Sequence, residues 1–262
     1  MKYFFKFLKY LLIVLIIAYA ATFYYRDKLV SISSNIHPAT LKDPVQTPAK
    51  ITSKIIFPYN QYSYAVDPIN DYKITGVVVS KFDYDPAEND PEKVIRYDLC
   101  MAWGKNVSDN IYLSPDISFS QNQRFCNYKY SQDIGFNANQ MSNNHLVTTN
   151  EYILEKLKTI SNGDEISITG QLINMTASGT GNDNSGLKGL TWNSSTTRTD
   201  TGAGACEVIY VESIDILTSA HEQGNQINTY AMYAIGAIFA LLFLKLSFIV
   251  LFLKPDKNIV RP

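Results

Sequence analysis

The residues able to do chemistry are few and far apart. Three cysteines, Cys100, Cys126 and Cys206, and one central histidine, His145, stand in a region rich in Asn, Ser, Thr and Tyr; the other histidines, His37 and His221, lie toward its edges. A thiol or imidazole beside a carboxylate is what nucleophilic catalysis needs, because a base must take the proton and an acid must orient the base. Cys206 or His145 with Asp200 is the set that offers this. No G-x-S-x-G elbow, no C-x-x-C pair and no second histidine at a ligand-like spacing accompanies it. The expectation is therefore no catalytic set, no metal and no cofactor, with thiol or hydrolase chemistry as the alternative.

A second group is built for binding. Residues 177–205 form a run of Gly, Ser, Thr and Asn around Trp192, Arg198 and Asp200. A loop this long inside a domain is either functional or mobile. Two readings of Trp192 stand: an aromatic platform for a sugar or peptide, or a plug folded onto the domain while Arg198 pairs with Asp200 or a nearby acid. The turn at 81–93 carries Asp83, Asp85, Glu88, Asp90 and Glu92, but Pro86 and Pro91 interrupt it and the spacing is not that of a calcium loop, so it reads as a solvated acidic turn. Residues 201–205 are glycine-rich without the phosphate-loop spacing, and they lead into a strand.

The elements that must position these groups are mostly strands. Residues 72–79 are β-branched and aromatic; 94–103 alternate, with Tyr97, Leu99, Met101 and Trp103 on one face; 119–130 is less regular. Asn143, Asn144 and His145 read as a turn before a helix. That helix opens on a Thr148/Glu151 capping box, carries Ile153, Leu157 and Ile160 as one stripe, and ends at Asn162–Gly163. Strands at 164–174 and 207–217 follow. This order resembles that of an OB-fold, a five-stranded Greek-key barrel with its helix between strands three and four. The expected fold class is thus mainly β: an OB-fold-like five-stranded barrel with one helix, flanked by two transmembrane helices. The resemblance puts binding on strands two and three and on the loops beyond, which nominates Trp103 beside Trp192, Arg198 and Asp200.

Both ends are apolar. Residues 10–25 lack charge and follow Lys2, Lys6 and Lys9; 227–253 is broken only by Lys245 and precedes Lys254, Lys257 and Arg261. Each suits a membrane span, the first only if its lysines snorkel. The basic clusters put both termini in the cytoplasm, at the inner membrane, and the centre in the periplasm or outside the cell. Ala18-Tyr19-Ala20 leaves a cleaved signal peptide as the rival to an uncut anchor. Lys245 is a functional candidate by position and a snorkelling side chain otherwise. Gly236 and Ala240 form a small-xxx-small pair suited to helix packing or an oligomer. The organisation expected is 1–25 transmembrane helix, 26–57 proline-rich linker, 58–217 exported domain, 218–226 linker, 227–253 transmembrane helix and 254–262 tail. Export suits the cysteines, which all lie in the centre; Cys100–Cys126 is the favoured disulfide and Cys126–Cys206 the alternative. The centre, 26–226, holds 16 basic against 23 acidic residues, which argues against nucleic acid as a partner.

Several segments resemble those of uncharacterised membrane-anchored bacterial exported proteins: Asp98, Leu99 and Cys100; Trp103 and Gly104; Ser142 through Leu146; and Arg198 through Glu207. That resemblance implies anchoring and export and no activity. The function expected is a membrane-anchored, extracytoplasmic binding or scaffold module in contact with membrane lipid, recognising an envelope protein or glycan or serving as a subunit of a membrane complex.

Overall fold

A computed structural model describes residues 2–25, 28–32, 36–84, 90–122, 124–179, 190–202 and 204–252. In chain order its elements are α1 (Lys2–Tyr25), β1 (Val45–Pro48), β2 (Ile55–Tyr59), β3 (Tyr62–Asp83), β4 (Ile95–Ala102), α2 (Lys105–Ser108), β5 (Ile117–Asn122), β6 (Phe125–Tyr130), β7 (Met141–Val147), α3 (Glu151–Thr159), β8 (Glu165–Gly179), β9 (Leu190–Asn193), β10 (Glu207–Thr218) and α4 (Glu222–Phe252). Two compact units result, 28–220 and the paired ends, 1–27 with 221–262. Asp85 and Glu88 of the acidic turn, residues 180–189 of the long loop, and Lys254, Lys257 and Arg261 lie outside the described residues.

In the helical unit, α1 and α4 are each long and apolar enough to cross a membrane. The Thr22 hydroxyl donates to the Asn228 side-chain oxygen, and the Lys245 ammonium stands 4.0 Å over the Phe5 ring. Seventeen positions separate the two contacts on either helix, so the helices run antiparallel in one register. Lys245 is therefore level with the lysine-bearing first turns of α1. Ala231 and Ile238 are buried, whereas Gly236 and Ala240 lie on an exposed face of α4, and a side chain at Gly236 would meet open space.

The other unit is built on a closed circuit of pairings. β3 pairs with β4 and β4 with β7, both antiparallel. β7 runs parallel to β10; β10 pairs with β8, and β8 returns to β3. β1 and β2 add to β3 and β9 adds to β8. The sheet thus has eight strands where five were expected. One long strand makes closure possible: Tyr62 to Val77 of β3 pair with β8, while Val77 to Asp83 pair with β4. Pro68, which cannot donate to a ladder, sits at a bulge in that strand.

Two glycines mark where backbones crowd. A Cβ at Gly76 would stand 2.7 Å from the Ala102 carbonyl oxygen, and one at Gly170 would stand 2.2 Å from that of Tyr210. The interior is filled by Tyr72, Ile74, Tyr97, Leu99, Met101, Trp103, Ile166, Ile168, Leu172, Ile209 and Val211, with Ile153, Leu157 and Ile160 of α3 packed in. The Lys81 ammonium donates to the Leu157, Lys158 and Ile160 carbonyls at 2.6, 3.1 and 2.8 Å, closing the C-terminal end of α3.

Four local expectations change. Residues 119–130 are not one strand but the β5–β6 hairpin, paired as a separate two-stranded sheet. Asn143, Asn144 and His145 do not turn; they are the middle of β7, because the Asn144 amide finds the Leu99 carbonyl at 3.0 Å and Ser142 Oγ at 3.0 Å inside the fold. α3 is capped by Asn150, whose side chain accepts from the Tyr152 amide at 2.9 Å, two residues beyond Thr148. The segment expected as a linker at 26–57 contains β1 and the start of β2 and packs on the sheet: Ile32 and Thr40 are buried, and Thr40 Oγ1 donates to Glu165 at 2.6 Å. Proline bars helix there, but it does not bar short edge strands.

Replacing Gly170 by Ala forces β8 and β10 apart where the circuit closes. Denaturant unfolding of the full chain in detergent should show a loss of about 3 kcal/mol; an unchanged midpoint would mean that the two strands are not held this close.

Candidate functional site

Asp98 and His145 face each other across β4 and β7. Directly opposed residues share a face of a sheet, and here it is the outer one, since Tyr97, Leu99 and Met101 point into the core. Neither reaches solvent: the Asp98 side chain is 0% exposed and that of His145 1%. A carboxylate without water must be matched by charge. His145 Nδ1 lies 2.8 Å from Asp98 Oδ1, off the direction of a good hydrogen bond, so charge holds the pair. Arg124 Nη1 approaches the same oxygen at 3.3 Å.

Arg124 comes from the turn between β5 and β6, where it takes a left-handed φ of 70°. Its guanidinium donates to the Ile95 carbonyl at 3.0 Å, to the Glu92 carbonyl at 3.3 Å and to the Glu92 carboxylate at 3.1 Å. It stacks 3.6 Å from the centre of the Tyr84 ring. Burial, and then the nearby Asp98, push the Tyr84 hydroxyl well above its usual range. Lower on the hairpin, Cys126 is disulfide-bonded to Cys100 of β4, with Cα atoms 5.8 Å apart. The hairpin is thus fixed to the large sheet twice, by an ion cluster and by a covalent bond.

On its other side His145 meets Trp192 of β9 edge-to-face, ring centres 4.7 Å apart, and the neighbouring Cys206, just before β10, favours its charged form. Asn143 Nδ2 donates to the Cys206 sulfur at 3.3 Å and to the Arg124 carbonyl at 2.8 Å. Burial works against a charge on His145, but the adjoining Asp98 and Cys206 outweigh it and push its pKa up to about 9. Cys206 is free and half-buried.

A second ion pair lies beside the first. Arg198, in the loop before β10, pairs with Glu207, whose side chain is 2% exposed, and reaches the Tyr72 hydroxyl at 3.4 Å. Burial pushes the Glu207 carboxyl up to about 7 against the pull of Arg198. Glu207 Oε2 and Arg198 Nη2 have no hydrogen-bond partner among the described residues. Between the β6 strand, the turn at 138–141 and the 197–207 loop lies a pocket of about 290 Å³, whose wall includes Tyr128, Asn143, Arg198, Asp200, Cys206 and Glu207.

Of the residues nominated from sequence, Arg198 and Asp200 line this pocket. Trp192 is the plug of the two readings offered, set against His145. Trp103 is not at the site: it is 0% exposed in the core, and its indole N–H donates to Asp43 at 2.9 Å. Asp200 does not serve His145; it accepts from Ser195 at 2.5 Å, and Asp98 holds the position assigned to it. Arg198 pairs with Glu207 rather than Asp200. Of the acidic turn, Asp83 is 3.4 Å from Arg96 and Glu92 is held by Arg124. Among the described residues no group of His, Cys, Asp and Glu is arranged to hold a metal ion. Sequence reasoning missed Asp98, Arg124, Asn143 and Glu207. Asp98 had a signal, a charge on the back of an alternating strand; Arg124, in a turn, had none.

No family model, curated protein or solved structure matches the chain.

Cutting Arg124 back to Met strands Asp98 with half its compensation and should cost about 3 kcal/mol in thermal or denaturant unfolding; a loss near zero would contradict the cluster. The pH dependence has a definite sign. His145 binds its proton more tightly folded than unfolded, so its stabilisation is complete below the unfolded value of about 6.5 and is lost as pH rises through about 9. Glu207, also raised, loses stabilisation between its ordinary range and about 7. The unfolding midpoint should therefore fall from pH 6.5 to 9, and His145→Asn should flatten that slope.

Proposed function

We propose that this chain is a membrane-anchored extracytoplasmic binding module: an OB-type barrel held outside the cytoplasmic membrane, which captures a polar segment of an envelope protein or glycan. The order in which β3, β4, β7, β10 and β8 pair, with β7 parallel to β10 and α3 between β7 and β8, supports the OB reading; β1, β2 and β9 are additions at its edges. The antiparallel register of α1 and α4 favours both termini on one side of the bilayer, and the basic residues flanking the two spans favour the cytoplasm as that side. The contact of Lys245 with the Phe5 ring, which lies N-terminal to Ala18-Tyr19-Ala20, supports an uncut anchor. Two spans bring lipid contact, and the exposed Gly236 and Ala240 offer a close-packing face to a further helix or a second copy.

The observation that carries the reading is the pocket. Its wall unites two segments far apart in sequence, around 125–143 and 197–207, and brings aromatic rings, amides, hydroxyls and one incompletely satisfied guanidinium to one concavity. That is the composition of sites for polar chain segments, where an aromatic supplies area and a few placed donors supply orientation. A domain bound to the membrane at both ends needs no high affinity for a partner confined to the same envelope, because tethering raises effective concentration.

A photo-crosslinking residue at Thr201, on the pocket rim, should give a discrete adduct in intact cells, and one at Tyr152, on the exposed face of α3, should give none. Filling the mouth with Thr201→Trp should abolish adducts from a second probe at Tyr128. Equal adducts from Thr201 and Tyr152, or none from Thr201, would overturn the reading.

A further inference from the structure

The helical unit carries positive charge that nothing within it balances. Lys245 interrupts the apolar run of α4, and its ammonium stands 4.0 Å over the Phe5 ring of α1. The antiparallel register set by this contact and by Thr22 with Asn228 puts Lys6 and Lys9 at nearly the same level, within about 6 Å of Phe5 along the helix axis. Lys9 is one turn from Phe5 on the same face of α1, and it follows Lys6 by three positions, a spacing at which helical side chains are neighbours. Lys6 and Lys9 are exposed and Lys245 is half-buried.

This belt of ammonium groups lies between apolar surfaces rather than at their edge. On one side, residues 10–25 of α1 and 227–244 of α4 carry no charge. On the other, α4 runs on through residues 246–252 without a charge, about 10 Å of further helix. Leu246, Phe248, Val250 and Leu251 are exposed there, as are Tyr3 and Phe4 of α1. Among the described residues the only acid in either helix is Glu222, at the opposite end of α4. An ammonium in apolar surroundings must be matched by opposite charge. The Phe5 ring face attracts the charge of Lys245 but cannot cancel it.

We propose that Lys6, Lys9 and Lys245 bind the phosphate of an anionic phospholipid. This rests on reading α1 and α4 as membrane spans. The phosphate oxygens accept from the ammonium groups, and the acyl chains lie along the exposed apolar faces beyond the belt, where Ile13 and Val14 of α1 and Leu241 of α4 stand. Charge decides the class of lipid. A zwitterionic headgroup brings its own cation and leaves the belt unbalanced, whereas a headgroup with net negative charge balances it.

The test is native mass spectrometry of the full chain in mild detergent, with equal amounts of phosphatidylglycerol and phosphatidylcholine of the same acyl chains. Phosphatidylglycerol should be retained roughly tenfold over phosphatidylcholine, and Lys245→Gln should lower its retention about fivefold. Neutralising the tail with Lys254→Gln and Lys257→Gln should leave retention within about twofold, since those charges lie outside the belt. Equal retention of the two lipids by the native chain would overturn the proposal without recourse to any variant. An equal loss from the Lys245 and tail variants would also overturn it, because unspecific attraction behaves that way. Washing membranes with alkaline carbonate tests the spans separately. Release of the chain would remove the span reading and the proposal together; a chain that stays in the membrane yet shows no lipid preference removes the proposal alone.

Discussion

The Asp98 carboxylate has no solvent, and the architecture around it follows from that. A buried negative charge is tolerated only where opposite charge and hydrogen bonds surround it. Arg124 and His145 provide the charge, and each ties down a different part of the molecule. Arg124 brings in the tip of the β5–β6 hairpin, together with Glu92, Tyr84 and the Ile95 carbonyl. His145 brings in the Cys206 sulfur and the Trp192 ring. One side chain on the outer face of β4 thus organises a hairpin, an edge strand and the start of β10.

This arrangement depends in turn on the closed strand circuit. β4 and β7 stand side by side because β3 is long enough to pair with both β8 and β4, and β10 lies beside β7 because β8 returns to β3. The interior then fills with aliphatic and aromatic side chains, so polar residues on the same strands are forced onto the outer face. There the hairpin, β9 and the 197–207 loop cover them. The pocket is what remains between the covering segments, and its wall carries charged and polar groups, Glu207 and Arg198 together with Asn143 and Cys206.

Much of the scaffold was legible in the sequence. The alternation of Tyr97, Leu99, Met101 and Trp103, the stripe of Ile153, Leu157 and Ile160, and the β-branched run before Thr218 each follow from burial of one face, which is a local property. The two apolar ends were equally plain. β7 was not, because Ser142, Asn143, Asn144 and His145 are turn formers by propensity, and only tertiary hydrogen bonds, such as Asn144 to the Leu99 carbonyl, make a strand of them. Trp103 was misjudged for a related reason: it continues the core face of β4, and its polar N–H is satisfied by Asp43 from a segment that its prolines marked as linker. The site was half legible. Arg198, Asp200, His145 and Cys206 stood out by type, but which acid serves His145 depends on strand register, and no residue pattern gives the register of β4 against β7.

The central claim is that His145 carries a proton at neutral pH because Asp98 holds it there. Histidine-selective nitrogen-15 NMR on the full chain in detergent reads this directly, since only three histidines contribute. The account predicts that one of them, absent from the spectrum of His145→Asn, keeps both ring nitrogens protonated at pH 7 and titrates near 9. A His145 ring that is neutral at pH 7, with one nitrogen unprotonated, would contradict it.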